Sequence, residues 1–340
     1  MGPGDRVLGP DERAIVIQVV ANCVESAYVF PQVAGMIADA VRKRLQDGAY
    51  DAVTAASALR DILIADIHAV HPDPYLAIFY SPTPLPAPGA QPAADAVLQM
   101  RRDFAVLFNC GVHRVERLAG NIGFIDLRFF EEPAFAGEVI AAAMWLVTQT
   151  AALIIDLRRC PGGHPGTVSL LCSYFFDATP VHLNSLYWRP LDATEEFWTQ
   201  PEVAGPRYLG KPLYLLTSSE TFSAAEECAY NLQTRQRATI VGERTRGGAH
   251  VVQEFPIGEH FVVAVPVGRA INPVTGTNWD GVGVLPEREV PAANALRTAH
   301  RMALNASLSL LGALSSRAGH ELQQEVQATL ADLEGAGTPG

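Results

Sequence analysis

Residues 211–250, KPLYLLTSSETFSAAEECAYNLQTRQRATIVGERTRGGAH, constrain the fold more than any other stretch of this chain. Residues 211–217 form a short apolar run of the kind that makes a buried strand. Residues 224–233 carry helix formers, with Ala225, Cys228, Ala229 and Leu232 at helical spacing. A second short strand ending in Ile240-Val241-Gly242-Glu243 and a glycine loop follow. Ser223 therefore falls at a strand-to-helix turn. A hydroxyl there can sit beside unpaired N–H groups at the positive end of a helix dipole, where a developing oxyanion is stabilised. The same residues also read as a capping box, Ser223-Ala-Ala-Glu226, that satisfies the first helical N–H groups and does nothing more.

The rest of the chain alternates strand and helix signals behind a helical start. Residues 11–69 predict three helices; the second starts at Pro31, presents Val33, Ile37, Val41 and Leu45 on one stripe and ends at Asp47-Gly48. A short alternating strand is expected over 75–80. The segment 81–92, SPTPLPAPGAQP, is too proline-rich for helix or sheet and reads as a linker or surface loop. A helix over 93–108 leads to strands near 122–127, 153–157 and 213–217, separated by helices over 133–149 and 165–177, the alternation of an α/β core. Residues 251–256 and 260–266 predict a hairpin turning at Ile257-Gly258-Glu259. Two tail helices, 292–311 and 321–333, are expected to cover the core or a partner subunit, which would make a homo-oligomer.

Composition narrows the partners. The 340 residues are 49% hydrophobic and carry a formal net charge of −11. That balance argues against nucleic acid and anionic membranes, which reward clustered Lys and Arg. The five cysteines are scattered and lack any Cys-x-x-Cys spacing, so neither a disulfide framework nor a zinc site is implied, and no cofactor is expected. No signal-like N-terminus or bilayer-length apolar run is visible, so the expected location is the cytoplasm.

Several segments together resemble one family. These are GNIGFIDLRFF (120–130), LIIDLRRCPGG (153–163), PVHLNSLYWRP (180–190), TFSAAEE (221–227) and NWDGVGVLPEREV (278–290). In this order they are similar to the C-terminal processing (tail-specific) serine proteases, specifically the branch resembling the modules of interphotoreceptor retinoid-binding protein. The resemblance covers about residues 11–291 and implies a mixed-sheet ClpP/crotonase-like α/β core built of αββ-type units. A small helical domain (1–80) and a connecting segment (81–110) would precede the core (111–291), and a helical tail (292–340) would follow, with no inserted PDZ domain.

The resemblance makes Ser223 the nucleophile, with an oxyanion hole from Ala224 and the Gly162-Gly163 pair. It also implies a departure at the base. The lysine that one branch places twenty-five positions after the serine is Gly248 here. The histidine of the tricorn-like branch is replaced by Tyr75 in Asp73-Pro74-Tyr75-Leu76, and a shift of register by a few residues would bring His71 or His68 to that place instead. Asp280 matches the tricorn-like acid, although Asp before Gly is also an ordinary turn. His250 and the Tyr75 phenol are the groups that could replace the missing base, His250 having an equally good reading as a surface residue at a strand start. Glu243 is expected to orient the glycine loop, and Asp156 with Arg158 to form a structural pair. Two functions follow: a serine hydrolase of peptides with a repaired base, or a non-proteolytic biosynthetic enzyme or binding module. The second would hold an apolar or aromatic small molecule, with Tyr75, Tyr187, Trp188, Trp279, Phe222 and Phe129 as candidate lining.

Overall fold

A computed structural model describes residues 5–85, 94–311 and 316–335. Most of the proline-rich segment, residues 86–92, lies outside the described residues. The elements run α1 (Pro10–Ala27), α2 (Pro31–Gln46), α3 (Ala56–Val70), β1 (Ala77–Tyr80), α4 (Ala94–Leu107), β2 (Val112–Leu118), β3 (Ile122–Leu127), α5 (Pro133–Val147), β4 (Ala152–Asp156) and α6 (Pro165–Ser173). They continue with β5 (His182–Trp188), β6 (Ala193–Trp198), β7 (Leu213–Thr217), α7 (Ala224–Thr234), β8 (Thr239–Gly242), β9 (His250–Ile257), β10 (Phe261–Ile271), β11 (Arg288–Glu289), α8 (Ala292–Leu311) and α9 (Arg317–Gly335). The chain divides into two compact units. The first comprises residues 1–93, 186–195 and 250–270, and the second comprises 94–185, 196–249 and 271–340.

In the first unit α2 starts with Pro31 at the helix entrance and ends with Lys43 and Arg44 in its last turn, where cations complement the helix dipole. Its expected stripe is the buried one: Ile37 and Val41 are fully enclosed, and Val33 and Leu45 pack at the rim of a core shared with α1, α3 and β10. β10 lies between β1 and β5 in the sheet, with β6 beyond β5, and β9 pairs along β10. The predicted hairpin is present as Phe261↔Ile257, and its register slips between Pro266 and Gly268. Pro266 has no N–H for the ladder, and a Cβ at Gly268 would lie 3.1 Å from the Tyr187 carbonyl oxygen, so the bulge allows a close approach of two strands.

The expected strand over 75–80 begins only at Ala77. The Asp73 carboxylate accepts the Tyr75 N–H at 2.8 Å, and this local bond holds 73–75 in a turn rather than a strand.

The second unit is a six-stranded sheet in the order β11-β8-β7-β4-β3-β2. β3, β4, β7, β8 and β11 run parallel, and β2 pairs antiparallel with β3. Both faces are covered, as parallel sheets require. On one, Ile122, Phe124, Ile154, Leu216 and Val241 meet Ala295, Ala299, Ala303 and Leu304 of α8 and Val326 of α9. The tail helices thus cover the core of their own unit. The alternate strand residues Leu153, Ile155, Leu215 and Ile240 are equally buried, and α5 packs on β2 and β3 while α7 packs on β8. The polar strands β2 and β6 were not expected, because all but one position of each is exposed or half-exposed, Glu195 and Glu196 of β6 included.

Candidate functional site

The candidate residues lie on the loops leaving the carboxyl ends of β4, β7 and β8, the edge where open α/β sheets bind their ligands. β7 ends at Thr217, and a turn held by Ser218 and Thr221 leads to Ser223. The Ser218 N–H donates to Thr221 Oγ1, whose hydroxyl in turn donates to the Leu157 carbonyl. Ser223 adopts φ +54°, ψ −123°. An ordinary helix cap is extended, and positive φ in a residue with a side chain is strained by about 1–3 kcal/mol. Half-buried Ser223 is held in that conformation at the entrance to α7.

Glu226 holds it there. This fully buried residue accepts four hydrogen bonds: from the Ser223 N–H (2.8 Å) and Gly248 N–H (2.9 Å) at Oε2, and from the Thr245 hydroxyl (2.5 Å) and Gly247 N–H (2.6 Å) at Oε1. Burial pushes its carboxyl above the usual range while the four bonds pull it down. Because the donors include three backbone N–H groups, the carboxylate is the form that fits this pocket. Glu226 is therefore more than the cap that a local reading makes of it: it clamps the glycine loop, 19 to 22 residues onward, to the serine turn.

The role expected for Glu243 is corrected. Its carboxylate receives the Ala292 N–H at 2.8 Å and the Ser219 N–H at 3.4 Å, so it ties α8 to the turn before Ser223 and leaves the glycine loop to Glu226.

Gly162-Gly163 lie against the serine. A Cβ at Gly162 would stand 2.8 Å from Ser223 Cβ and 2.9 Å from the Ala224 nitrogen, and its φ of +111° also demands glycine. Gly163 (φ +137°) forms a parallel bridge with Phe130. The Gly162 carbonyl accepts the Phe130 N–H, and the His164 N–H donates to the Phe130 carbonyl. That ladder pattern leaves the Gly163 N–H outside the bridge. The structure thus brings Ser223, Ala224 and Gly162-Gly163 together. Cys160, whose carbonyl accepts the Phe222 N–H, is buried, and its thiol is pushed up to about 12, so it offers no competing thiolate.

Gly248 is buried with both backbone groups engaged, its N–H on Glu226 and its carbonyl accepting the Trp279 indole N–H at 2.9 Å. The chain has two lysines. Lys211 precedes β7, at the opposite end of that strand from Ser223, and donates to the carbonyls of Thr148 and Thr150. Lys43 lies on α2 of the first unit and pairs with Asp47. A serine–lysine pair is therefore not formed.

Asp280 accepts the Ala249 N–H at 3.0 Å. In the first unit His250 opens β9 amid aromatic rings: Tyr75 at 6.2 Å and Phe30 at 5.5 Å between centroids, both edge-on. His68 is engaged with the Leu76 carbonyl at 3.0 Å, and His71 lies edge-on to Tyr28, 6.2 Å away. The six aromatics proposed as a lining are divided: Tyr75, Tyr187 and Trp188 belong to the first unit, and Phe129, Phe222 and Trp279 to the second.

A cleft of about 430 Å³ beside the serine turn is lined by Arg158, Arg159, Ser218, Ser219, Glu220 and Glu243. Arg158 is committed there to Asp156 and the Ala292 carbonyl, as the expected structural pair. No metal-binding group of side chains occurs among the described residues, and none of their helices is long and apolar enough to cross a membrane.

Residues 121–290, half of the chain, match the sequence model of peptidase family S41. A carboxyl-terminal-processing protease from Synechocystis sp. is 30% identical over 172 residues, covering 50% of this chain and 38% of that protein, so the match spans well under half of the relative's length. Among solved structures, a photosystem II D1 C-terminal processing protease superposes with a TM-score of 0.55 at 15% identity, covering 83% of this chain and 93% of that one. A lipoprotein from Streptococcus agalactiae gives 0.56 at 13% identity, covering 88% and 98%. At such identities these two likenesses speak for the fold.

Proposed function

The chain belongs to peptidase family S41, and on that premise we propose that it is a serine hydrolase acting on peptide bonds, with Ser223 as nucleophile and a histidine in place of the lysine. The observation that carries this is the backbone of Ser223. An ordinary capping serine is extended, and a φ of +54° is retained at a cost in stability. A strained strand-to-helix serine, clamped by a buried carboxylate and faced by a side-chain-free Gly162, is what nucleophile presentation requires and what capping does not.

In the proposed reaction Ser223 Oγ attacks the substrate carbonyl carbon and gives its proton to the base. The N–H groups of Ala224 and Gly163 stabilise the oxyanion. The protonated base then delivers that proton to the leaving amine, and water, deprotonated by the same base, hydrolyses the acyl-enzyme. For the base we assign His250. It follows Ala249 across one peptide bond, about 3.8 Å between Cα atoms, and the Ala249 N–H rests on Asp280. Asp280 is assigned as the acid of the site.

The alternative is a non-hydrolytic protein that holds an aromatic ligand. It is favoured by the ring cluster of Phe30, Tyr75 and His250. Labelling with a fluorophosphonate probe separates the two. The hydrolase reading expects labelling of the wild type, none of Ser223→Ala, and a rate at least about a hundredfold lower in His250→Ala. An unlabelled wild type would remove the hydrolase reading in favour of ligand binding.

A further inference from the structure

Arg246 stands beside the nucleophile without a carboxylate. Its backbone N–H donates to the Thr221 carbonyl at 3.1 Å, two residues before Ser223, and its guanidinium carbon lies 4.8 Å from the centre of the Phe222 ring, the residue immediately before Ser223. Arg246 is exposed, and Phe222 and Ser223 are half-exposed. Three other arginines of this edge are ion-paired, whereas Arg244, two residues before Arg246, has no ion pair among the described residues. Arg128 and Arg159 reach Asp126, and Arg158 binds Asp156. Arg246 has no acidic partner among the described residues, in a chain with 36 acidic and 25 basic residues.

The loop that carries Arg246 is anchored on both sides of it. Thr245 and Gly247, on either side of Arg246, are both held by Glu226 Oε1. A guanidinium that uses its π face on an aromatic ring keeps its in-plane N–H donors, and that planar fork matches a carboxylate. The chain as a whole is anionic and repels acidic ligands, so a substrate with a carboxylate at this point needs a local cation.

We propose that Arg246, seated over Phe222, is the specificity-determining residue of this site and recognises a carboxylate of the substrate close to the bond attacked by Ser223. The substrate class is then peptides bearing an anionic oxygen pair there, supplied by a terminal α-carboxylate or by an Asp or Glu side chain. The inference rests on Ser223 being the reactive centre.

The test is fluorescence anisotropy with full-length Ser223→Ala protein, which binds without turnover. Three fluorescein-labelled peptides are compared: Gly-Ala-Leu-Ala-Ala as the free acid, the same peptide as the carboxamide, and a carboxamide with glutamate in place of leucine. One carboxylate-bearing peptide should bind about tenfold tighter than the plain carboxamide, the gain expected of a charge-assisted hydrogen bond. Which of the two gains identifies the source of the carboxylate. Adding Arg246→Gln should bring the ratio to about one, and Arg246→Lys should restore part of it. Equal binding of all three peptides, absence of binding by any, or a ratio that survives Arg246→Gln would overturn the proposal. Fluorophosphonate labelling of the wild type is read separately: a chain that is not labelled yet keeps an Arg246-dependent preference would lose the hydrolase reading and retain the carboxylate site.

Discussion

Replacing Glu226 by glutamine tests how the serine turn and the glycine loop are held together. The carboxylate serves two donors at each oxygen. Glutamine keeps one oxygen and puts an NH₂ at the other. If that NH₂ faced Ser223 and Gly248, two backbone N–H groups that cannot reverse would each confront a donor. Turned the other way it faces the Thr245 hydroxyl and the Gly247 N–H. Thr245 Oγ1 already accepts the Val284 N–H at 2.7 Å and can rotate its hydrogen to accept again, so only Gly247 is left without an acceptor. The better orientation therefore loses one bond to a charged acceptor, about 1.5–3 kcal/mol, and strands one buried donor, about 1–3 kcal/mol. Urea unfolding of Glu226→Gln at pH 7 should show a loss of about 3–5 kcal/mol at unchanged m-value, with a slower fluorophosphonate reaction because the Ser223 turn is no longer clamped. A loss below about 1 kcal/mol, together with an unchanged labelling rate, would refute the assignment of Glu226 as the clamp.

Gly162→Ala places a Cβ 2.8 Å from Ser223 Cβ at a φ of +111°, and should lower fluorophosphonate labelling at least about a hundredfold, as loss of oxyanion stabilisation does; a rate near the wild type's would separate the glycine pair from the oxyanion. Ser223→Gly lifts the positive-φ strain that Ser223→Ala keeps, so the glycine variant should be the more stable of the two by about 1 kcal/mol in urea unfolding, and equal midpoints would mean that φ +54° is not strained here. Glu227, enclosed beside Asn184 and Asn231, is pushed by burial up to about 8. Its folded pKa lies above the unfolded value of about 4.3, so its contribution is complete below that value and is lost as pH rises to about 8, a decline of at most about 5 kcal/mol. Glu227→Gln should flatten that decline between pH 5 and pH 8, and a slope unchanged by the substitution would show that the carboxyl ionises normally.

What could be read in advance and what could not divide along the range of the interactions. The strand over 213–217, the turn and the helix from 224 are set by residues adjacent in sequence, and so were visible in it. The left-handed Ser223 was not, because Thr-Phe-Ser-Ala-Ala-Glu is also the sequence of an ordinary extended cap. Its conformation is fixed by partners elsewhere: Gly162, 61 residues before it, and the loop at 245–248 beyond it, reached through Glu226. Glu243 shows the same effect in reverse, since its expected target was near in sequence and its actual one, Ala292, lies 49 residues on. The strand expected from Tyr75 starts late for a local reason, the Tyr75 N–H donating to the Asp73 carboxylate in competition with a strand pattern of apolar alternation. The absence of lysine at 248 also acquires a physical meaning only in three dimensions. That position lies inside the Glu226 clamp, with its N–H and carbonyl both committed. A buried backbone knot secures the loop there.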